Sequence, residues 1–292
     1  MSNGTDIAFA AANGVQFGYL QAGQPGAPLA LCLHGFPDSA HTWRHLLPVL
    51  ADLGYHAVAP FLRGYAPTEV PADGCYQLGA LVADAVALHD ALGGDDQAVL
   101  IGHDWGAMTA YGAIAFAPER WRRAITLAVP PTGSMGAAFL RYPQLRRSFY
   151  IFLFQTPLAE IAVSMDDFAF IDGLWRDWSP GYAAADDAAR AKDCLRDPAS
   201  LAAAIGYYRA MLDPARHLPR YAAEQAATTA RTGCPVLYLH GAADGCLGVE
   251  TTTQAAEHLP ADSRLEVIDG VGHFLHLERP DLIAARVAAW LA

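Results

Sequence analysis

The chain has 292 residues, 53% of them hydrophobic, and its 30 acidic and 19 basic residues give a formal net charge of −11. An acidic surface disfavours nucleic acid and anionic membranes as partners, and no stretch has the roughly 18 apolar residues that membrane insertion requires. The five cysteines lack metal-binding spacing, so we expect reduced, mostly buried thiols. These features predict a cytoplasmic protein with no metal site, and they leave a homodimer open.

The N-terminal third begins with a hairpin signal. Asn13-Gly14 separates two alternating apolar runs, which predicts an antiparallel pair of strands. Short apolar runs then alternate with helical patterns, and this alternation predicts a mostly parallel sheet with helices on both faces. The runs lie at residues 29–33, 55–60, 98–101 and 124–129, and the helical patterns at about 42–53, 77–92 and 107–117.

The composition changes after Pro130-Pro131, because consecutive prolines end a strand. Residues 131–219 are helical in pattern and rich in aromatic side chains, as expected of an apolar lid over a pocket. The sheet pattern resumes at Pro235. We therefore predict a core made of residues 1–130 and 220–292, with residues 131–219 inserted as a helical lid.

One turn carries the strongest chemical signal. Gly102-His103-Asp104-Trp105-Gly106 joins an apolar strand pattern to a small-residue helix pattern. This small-x-nucleophile-x-small arrangement is typical of a nucleophile elbow, whose strained central residue requires small neighbours. An aspartate stands at the nucleophile position, where most such turns carry serine. By itself, the motif is more often an ordinary turn that contains aspartate.

Two further residues follow in the order nucleophile, acid, histidine. Asp244 comes just after the apolar run at 235–239, and His273 lies on a glycine-rich loop after the run at 265–268. Both are expected at carboxyl ends of strands, where open α/β sheets assemble their sites. Asp244 and His273 are therefore candidate partners of Asp104.

Taken together, these segments resemble the soluble epoxide hydrolases of the α/β-hydrolase superfamily over nearly the whole chain. The resemblance is most specific at the aspartate-tryptophan elbow and at His34-Gly35-Phe36-Pro37. It implies an α/β-hydrolase fold, and it implies an oxyanion hole made by the backbone N–H groups of Phe36 and Trp105.

The resemblance also implies two proton-donating lid tyrosines. The segment at 149–155 resembles the family segment that carries the first, which would be Tyr150, and Tyr207-Tyr208-Arg209 resembles the segment that carries the second. We select Tyr208 over Tyr207, and we expect the side chains of Phe36, Trp105 and Phe154 to bind substrate. Each tyrosine could instead simply pack the lid core.

An aspartate nucleophile restricts the substrate. Carboxylate attack on an ester carbonyl reverses, because the carboxylate is the better leaving group, whereas attack on a saturated carbon gives a stable alkyl ester. An epoxide or an alkyl halide is therefore expected, with no cofactor. His273, oriented by Asp244, would then activate water to hydrolyse the ester on Asp104.

Two alternatives to an apolar-epoxide hydrolase remain at this stage. A haloalkane dehalogenase would use the same nucleophile, but many of these enzymes place a polar, halide-contacting residue where this chain has Phe36. A small-molecule receptor or inactive homologue is the other class, although it would not need the full catalytic set. The chain also departs from the epoxide hydrolase pattern, with Phe61 in place of an aspartate and Ala66-Pro67 in place of a glycine.

Overall fold

The computed structural model describes residues 6–231 and 233–292, apart from the side chain of Ala137. An eight-stranded sheet organises this part of the chain, with the strand order β1-β2-β4-β3-β5-β6-β7-β8. Its strands are β1 Ala8–Ala12, β2 Val15–Ala22, β3 Leu29–Leu33, β4 His56–Pro60, β5 Val99–His103, β6 Arg123–Leu127, β7 Val236–Gly241 and β8 Arg264–Ile268.

The sheet has an antiparallel start and a parallel centre. β2 pairs antiparallel with β1 and β4, and every pairing from β4 onwards is parallel. Every residue of β3, β4, β5 and β7 is buried. Such strands require cover on both faces, which the helices provide. The predicted fold class, an α/β-hydrolase fold with a mostly parallel sheet, is confirmed.

The described residues contain twelve helical segments, and the seventh of them is kinked at residues 165–168, where the backbone is not helical. They are α1 Leu46–Asp52, α2 Leu78–Ala91, α3 Trp105–Phe116, α4 Gly136–Phe139, α5 Tyr142–Arg147, α6 Phe149–Leu153, α7 Ala159–Trp178, α8 Ala185–Leu195, α9 Pro198–Leu212, α10 Ala222–Ala227, α11 Leu275–Glu278 and α12 Pro280–Leu291. Helix α1 packs against α12, whereas α2, α3 and α10 pack together. None of these helices is long and apolar enough to cross a membrane.

Two helix boundaries differ from the sequence prediction. The helix predicted at 42–53 begins only at Leu46, because Ala40–Trp43 forms a separate 3₁₀ turn. Pro48 lies in the first turn of α1, where its missing N–H costs no intrahelical bond. Helix α3 begins at Trp105, two residues earlier than predicted, because it starts directly after the central residue of the turn.

The chain between β6 and β7 contains α4 to α10. We call residues 131–219 the helical insertion, with the boundaries that the sequence predicts. Helix α10 follows this insertion and packs against α2 and α3 beside the sheet. All five cysteines of the protein are buried free thiols.

Candidate active site

Asp104 occupies the turn between β5 and α3 in a strained backbone conformation, with φ 53° and ψ −118°. A side chain at Gly102 would overlap the backbone of Gly106, and one at Gly106 would overlap the carbonyl of Leu33. The two glycines are therefore required by close backbone approach. This strain and packing hold the Asp104 side chain at the carboxyl edge of the sheet.

The Asp104 carboxylate is buried and lies against the loop after β3. The backbone N–H of Phe36 donates to its Oδ1 at 2.8 Å, and a Cβ at Gly35 would overlap the same carboxylate. Burial alone would raise the pKa of Asp104, but the neighbouring His273, His103 and the Phe36 amide together hold it below its ordinary value. Asp104 is therefore ionised at neutral pH.

His273 lies after β8, between two carboxylates. Its Nδ1 is 2.9 Å from Asp244 Oδ2, and its Nε2 is 3.7 Å from Asp104 Oδ2. Burial disfavours the charged imidazole, but Asp244 and Asp104 outweigh it and raise the pKa of His273 to about 10. In the free protein, His273 is therefore a cation that forms an ion pair with Asp104.

Asp244 follows β7, and its two carboxylate oxygens have different partners. Oδ1 accepts the backbone N–H groups of Cys246 at 2.7 Å and Leu247 at 2.9 Å. Oδ2 contacts His273. Because a carboxylate only accepts, Nδ1 of His273 carries the hydrogen and Nε2 is directed towards Asp104.

The loop that carries His273 is fixed by side chains outside the predicted site. Glu278 accepts the backbone N–H of Gly272 at 2.9 Å and the hydroxyl of Ser179 at 2.6 Å. The Ser179 oxygen in turn accepts the N–H of Phe274 at 3.0 Å. These bonds join the C-terminal end of α7, where Ser179 follows the helix, to the histidine loop.

The two candidate tyrosines lie in an aromatic enclosure that also contains Phe36, Trp105 and Phe154. The ring of Tyr208 is centred 5.1 Å from Trp105, 5.4 Å from Phe36 and 5.2 Å from Phe154. Tyr150 is 5.4 Å from Tyr208. The structure thus brings all five residues together, and burial raises the pKa of both tyrosine hydroxyls well above its ordinary value.

The hydroxyls of the neighbouring Tyr207 and Tyr208 have different surroundings. Tyr207 donates to the carbonyl of Arg63 at 2.8 Å, away from the carboxylate. The Tyr208 hydroxyl is buried and has no hydrogen-bond partner among the described residues. This geometry favours Tyr208 over Tyr207 as the second donor.

Sequence reasoning missed two residues of the site, Cys246 and Trp178. The Cys246 sulfur lies 3.6 Å from the Tyr150 hydroxyl, and one donor atom each from Cys246, Asp104 and His273 lie within 4.8 Å of one another. The Trp178 carbonyl accepts the His273 N–H at 3.0 Å. The position of Cys246, two residues after Asp244, was the available signal, whereas nothing distinguished Trp178 from other aromatic residues in the insertion.

The loop around Phe61 departs from the expected pattern and has its own support. Arg63 is fully buried and bonds both oxygens of Asp84, through Nε at 2.5 Å and Nη2 at 2.6 Å. The Leu62 N–H donates to His34 Nε2 at 3.0 Å. A buried ion pair and a histidine therefore position the loop that carries no aspartate at residue 61.

Comparison with known proteins yields consistent matches. A family described as alpha/beta hydrolase fold matches residues 28–280. Epoxide hydrolase A of Mycobacterium tuberculosis is 34% identical, over 96% of this chain and 95% of the relative, and epoxide hydrolase 4 of Mus musculus is 31% identical, over 96% and 77%. The crystal structure of epoxide hydrolase A from Mycobacterium thermoresistibile aligns with a TM-score of 0.81 at 28% identity, covering 98% of each chain.

Proposed function

Because the chain belongs to the α/β-hydrolase fold family and, within it, to the epoxide hydrolases, we propose that it converts an apolar epoxide to a vicinal diol through an ester on Asp104. The observations that support this mechanism are the contacts of Asp104 with the Phe36 amide and with His273, together with two buried tyrosines whose pKa values are raised by burial and also by the Asp104 charge. Phe36, Trp105 and Phe154 supply an apolar enclosure suited to an apolar substrate.

In the first half-reaction, the Asp104 carboxylate attacks one epoxide carbon. A carbon–oxygen bond forms to Asp104 and the ring carbon–oxygen bond breaks, so that negative charge develops on the former ring oxygen. Tyr150 and Tyr208 donate hydrogen bonds to that oxygen. Their raised pKa values keep both hydroxyls protonated and able to donate at neutral pH.

Esterification prepares the second half-reaction through electrostatics. Asp104 loses its negative charge when it becomes an ester, and one of the groups that raises the pKa of His273 disappears. The pKa of His273 therefore falls, and the proton that it releases balances the proton that the substrate alkoxide gains. His273 thereby becomes the neutral imidazole that a general base must be.

Neutral His273 then takes a proton from water, and the resulting hydroxide attacks the ester carbonyl of Asp104. The N–H of Phe36 already lies 2.8 Å from Oδ1. The N–H of Trp105 lies in the first turn of α3, where amides have no partner within the helix. These two donors stabilise the oxyanion. Its collapse breaks the ester bond and expels the diol as an alkoxide, which takes the proton of the carboxylic acid formed at Asp104, so that the diol leaves and the carboxylate is restored.

A single turnover in ¹⁸O-labelled water, with enzyme in excess over styrene oxide, tests this pathway. The ester mechanism predicts an unlabelled diol in the first turnover and ¹⁸O in the Asp104 carboxylate. Direct attack of water on the epoxide would place the label in the diol and overturn the proposed nucleophile. No diol from a panel of aryl and alkyl epoxides would contradict the proposed substrate class.

We also propose the cofactor requirement, the cellular compartment and the partners of this protein. The site residues need no cofactor for the steps above, and the buried free thiols suit the reducing cytoplasm. The proposed partner is the small-molecule substrate, with no nucleic acid and no inserted membrane, and with a homodimer as an arrangement to test. Sedimentation of the purified protein measures its mass in solution directly.

A further inference from the structure

Gln144 is a fully buried amide in helix α5, on the segment that leads to Tyr150. Glutamine side chains are mostly exposed in proteins, and a buried one needs protein partners for its amide. Gln144 takes no part in the proposed epoxide chemistry. Its partners therefore indicate what the buried amide does.

The Gln144 amide joins helix α5 to the loop after Asp244. Its Oε1 accepts the backbone N–H of Gly248 at 3.0 Å. Its Nε2 donates to the backbone carbonyl of Cys246 at 2.8 Å and to the Ser148 hydroxyl oxygen at 2.9 Å. Because a backbone N–H only donates and a carbonyl only accepts, these partners fix the orientation of the amide.

The segment that Gln144 holds, residues 246–248, is also held from the sheet. Asp244 Oδ1 accepts the N–H groups of Cys246 and Leu247, and the Leu247 carbonyl lies 3.0 Å from His240 Nε2. Gln144 bonds two further groups of the same segment, the Cys246 carbonyl and the Gly248 N–H. The sheet and the helical insertion therefore fix this segment together.

Gln144 also acts on both parts of Tyr150, its backbone and its hydroxyl. Ser148, which accepts from Gln144, lies at the junction of α5 and α6, two residues before Tyr150. On the loop, the Cys246 sulfur lies 3.6 Å from the Tyr150 hydroxyl. One buried amide thus fixes the backbone that carries the tyrosine and the sulfur that its hydroxyl contacts.

We propose that Gln144 is a positioning residue for epoxide opening and that it acts through Cys246 on Tyr150. This inference rests on the proposed function, in which Tyr150 donates to the opening epoxide. A thiol is only a weak hydrogen-bond partner, so an epoxide oxygen that gains negative charge takes its place. The Cys246 contact therefore orients the hydroxyl in advance without competing strongly with substrate.

Gln144→Met tests the proposal, because it keeps the length of the side chain and removes its three hydrogen bonds. With styrene oxide and enzyme in excess, rapid-quench mass spectrometry should show alkylation of Asp104 slowed by about tenfold. Hydrolysis of the ester should slow by less than about threefold, because Asp244 keeps both of its amide donors. Circular dichroism confirms that the variant is folded.

The two tyrosine backgrounds separate positioning from a general loss of packing. In Tyr150→Phe, the added Gln144→Met should slow alkylation by less than about twofold, because the hydroxyl that Gln144 positions is gone. In Tyr208→Phe, the matched control, the slowing should again be about tenfold. Equal slowing in both backgrounds, or no slowing in the otherwise wild-type chain, would overturn the inference.

A thiol-labelling measurement tests the Gln144 contacts without turnover. Peptide mass spectrometry should show Cys246 reacting with iodoacetamide at least about tenfold faster in Gln144→Met than in wild type, while Cys32, buried in β3, stays unmodified in both. Unchanged protection of Cys246 would overturn the inference. Absence of diol from the wild type would instead contradict the proposed function.

Cys246→Ala serves as a second variant if Gln144→Met does not fold. It removes the sulfur next to Tyr150 but keeps the backbone carbonyl that Gln144 bonds. Alkylation should slow in this variant and should not slow further when Cys246→Ala is added to Tyr150→Phe. An unchanged alkylation rate, or additive effects of the two substitutions, would overturn the inference.

Discussion

The two sides of the site differ in how their polar groups are satisfied. On the sheet side, Asp104 accepts an amide at 2.8 Å, and Asp244 accepts two amides and contacts His273. On the side of the helical insertion, the Tyr208 hydroxyl has no partner among the described residues, and that of Tyr150 has a 3.6 Å contact with sulfur. In the proposed mechanism, the sheet therefore stabilises charges before substrate arrives, whereas the insertion keeps donors available for the substrate.

Removing the nucleophile on the sheet side of the site should have the largest effect on the catalytic rate. Asp104→Ala is expected to lower kcat by roughly 10⁴-fold or more, because no other carboxylate can form the ester. Steady-state diol formation measures this loss. The variant should remain folded and should still bind substrate, and residual activity within tenfold of wild type would contradict the assignment.

Asp244→Asn should separate the two half-reactions. Without the Asp244 charge, the His273 imidazole loses its fixed orientation, and its pKa no longer suits its role as the base that activates water. Ester hydrolysis should therefore slow by roughly 10³-fold or more, while alkylation of Asp104 changes by less than about tenfold. Rapid-quench mass spectrometry follows both steps. Asp269→Asn, an exposed aspartate just upstream of the same loop, is the matched control and should behave as wild type.

The neighbouring tyrosines sharpen the comparison on the side of the insertion. Tyr208→Phe should lower kcat/KM by about 10²-fold, because it removes a donor to the opening epoxide, and should change stability little. Tyr207→Phe should retain activity but lower the free energy of unfolding by about 1–2 kcal/mol, because the Arg63 carbonyl loses its donor. If Tyr207→Phe instead lost activity and Tyr208→Phe lost only stability, Tyr207 would be the proton donor and Tyr208 the structural residue.

A further prediction concerns the pH dependence of stability on the sheet side. The pKa of His273 is raised from 6.5 to about 10 on folding, so the folded state binds a proton that the unfolded state releases between these values. The stabilisation is complete below about pH 6.5 and is lost as the pH rises towards 10. Urea unfolding of wild type and His273→Gln measures this effect, and the difference between their free energies of unfolding should shrink as the pH rises across this range. A difference that grows with pH would contradict the ion pair.

The sequence was most informative where backbone geometry limits residue choice. The elbow was predictable because only small residues fit beside Asp104, as the overlaps at Gly102 and Gly106 explain. The strand ends that place Asp244 and His273 followed from apolar runs ending in polar loops. The parallel sheet followed from the same alternation, because buried strands read as continuous apolar segments.

Contacts between distant segments could not be predicted. The orientation of the tyrosines depends on how α6 and α9 pack, and periodicity carries no information about which of two adjacent hydroxyls faces Asp104. The only signal for Cys246 was its position two residues after Asp244, because a buried thiol in the site and one in the core have the same local sequence pattern.

Intact-mass spectrometry of His273→Gln after incubation with panels of epoxides and alkyl halides tests the central claim most directly, because blocked hydrolysis should trap the ester. We predict a gain equal to the whole epoxide, localised to the peptide that contains Asp104 and absent when Asp104→Ala is added. A gain equal to an alkyl group without halogen would identify a dehalogenase. No adduct, or an adduct on another residue, would contradict Asp104 as the nucleophile.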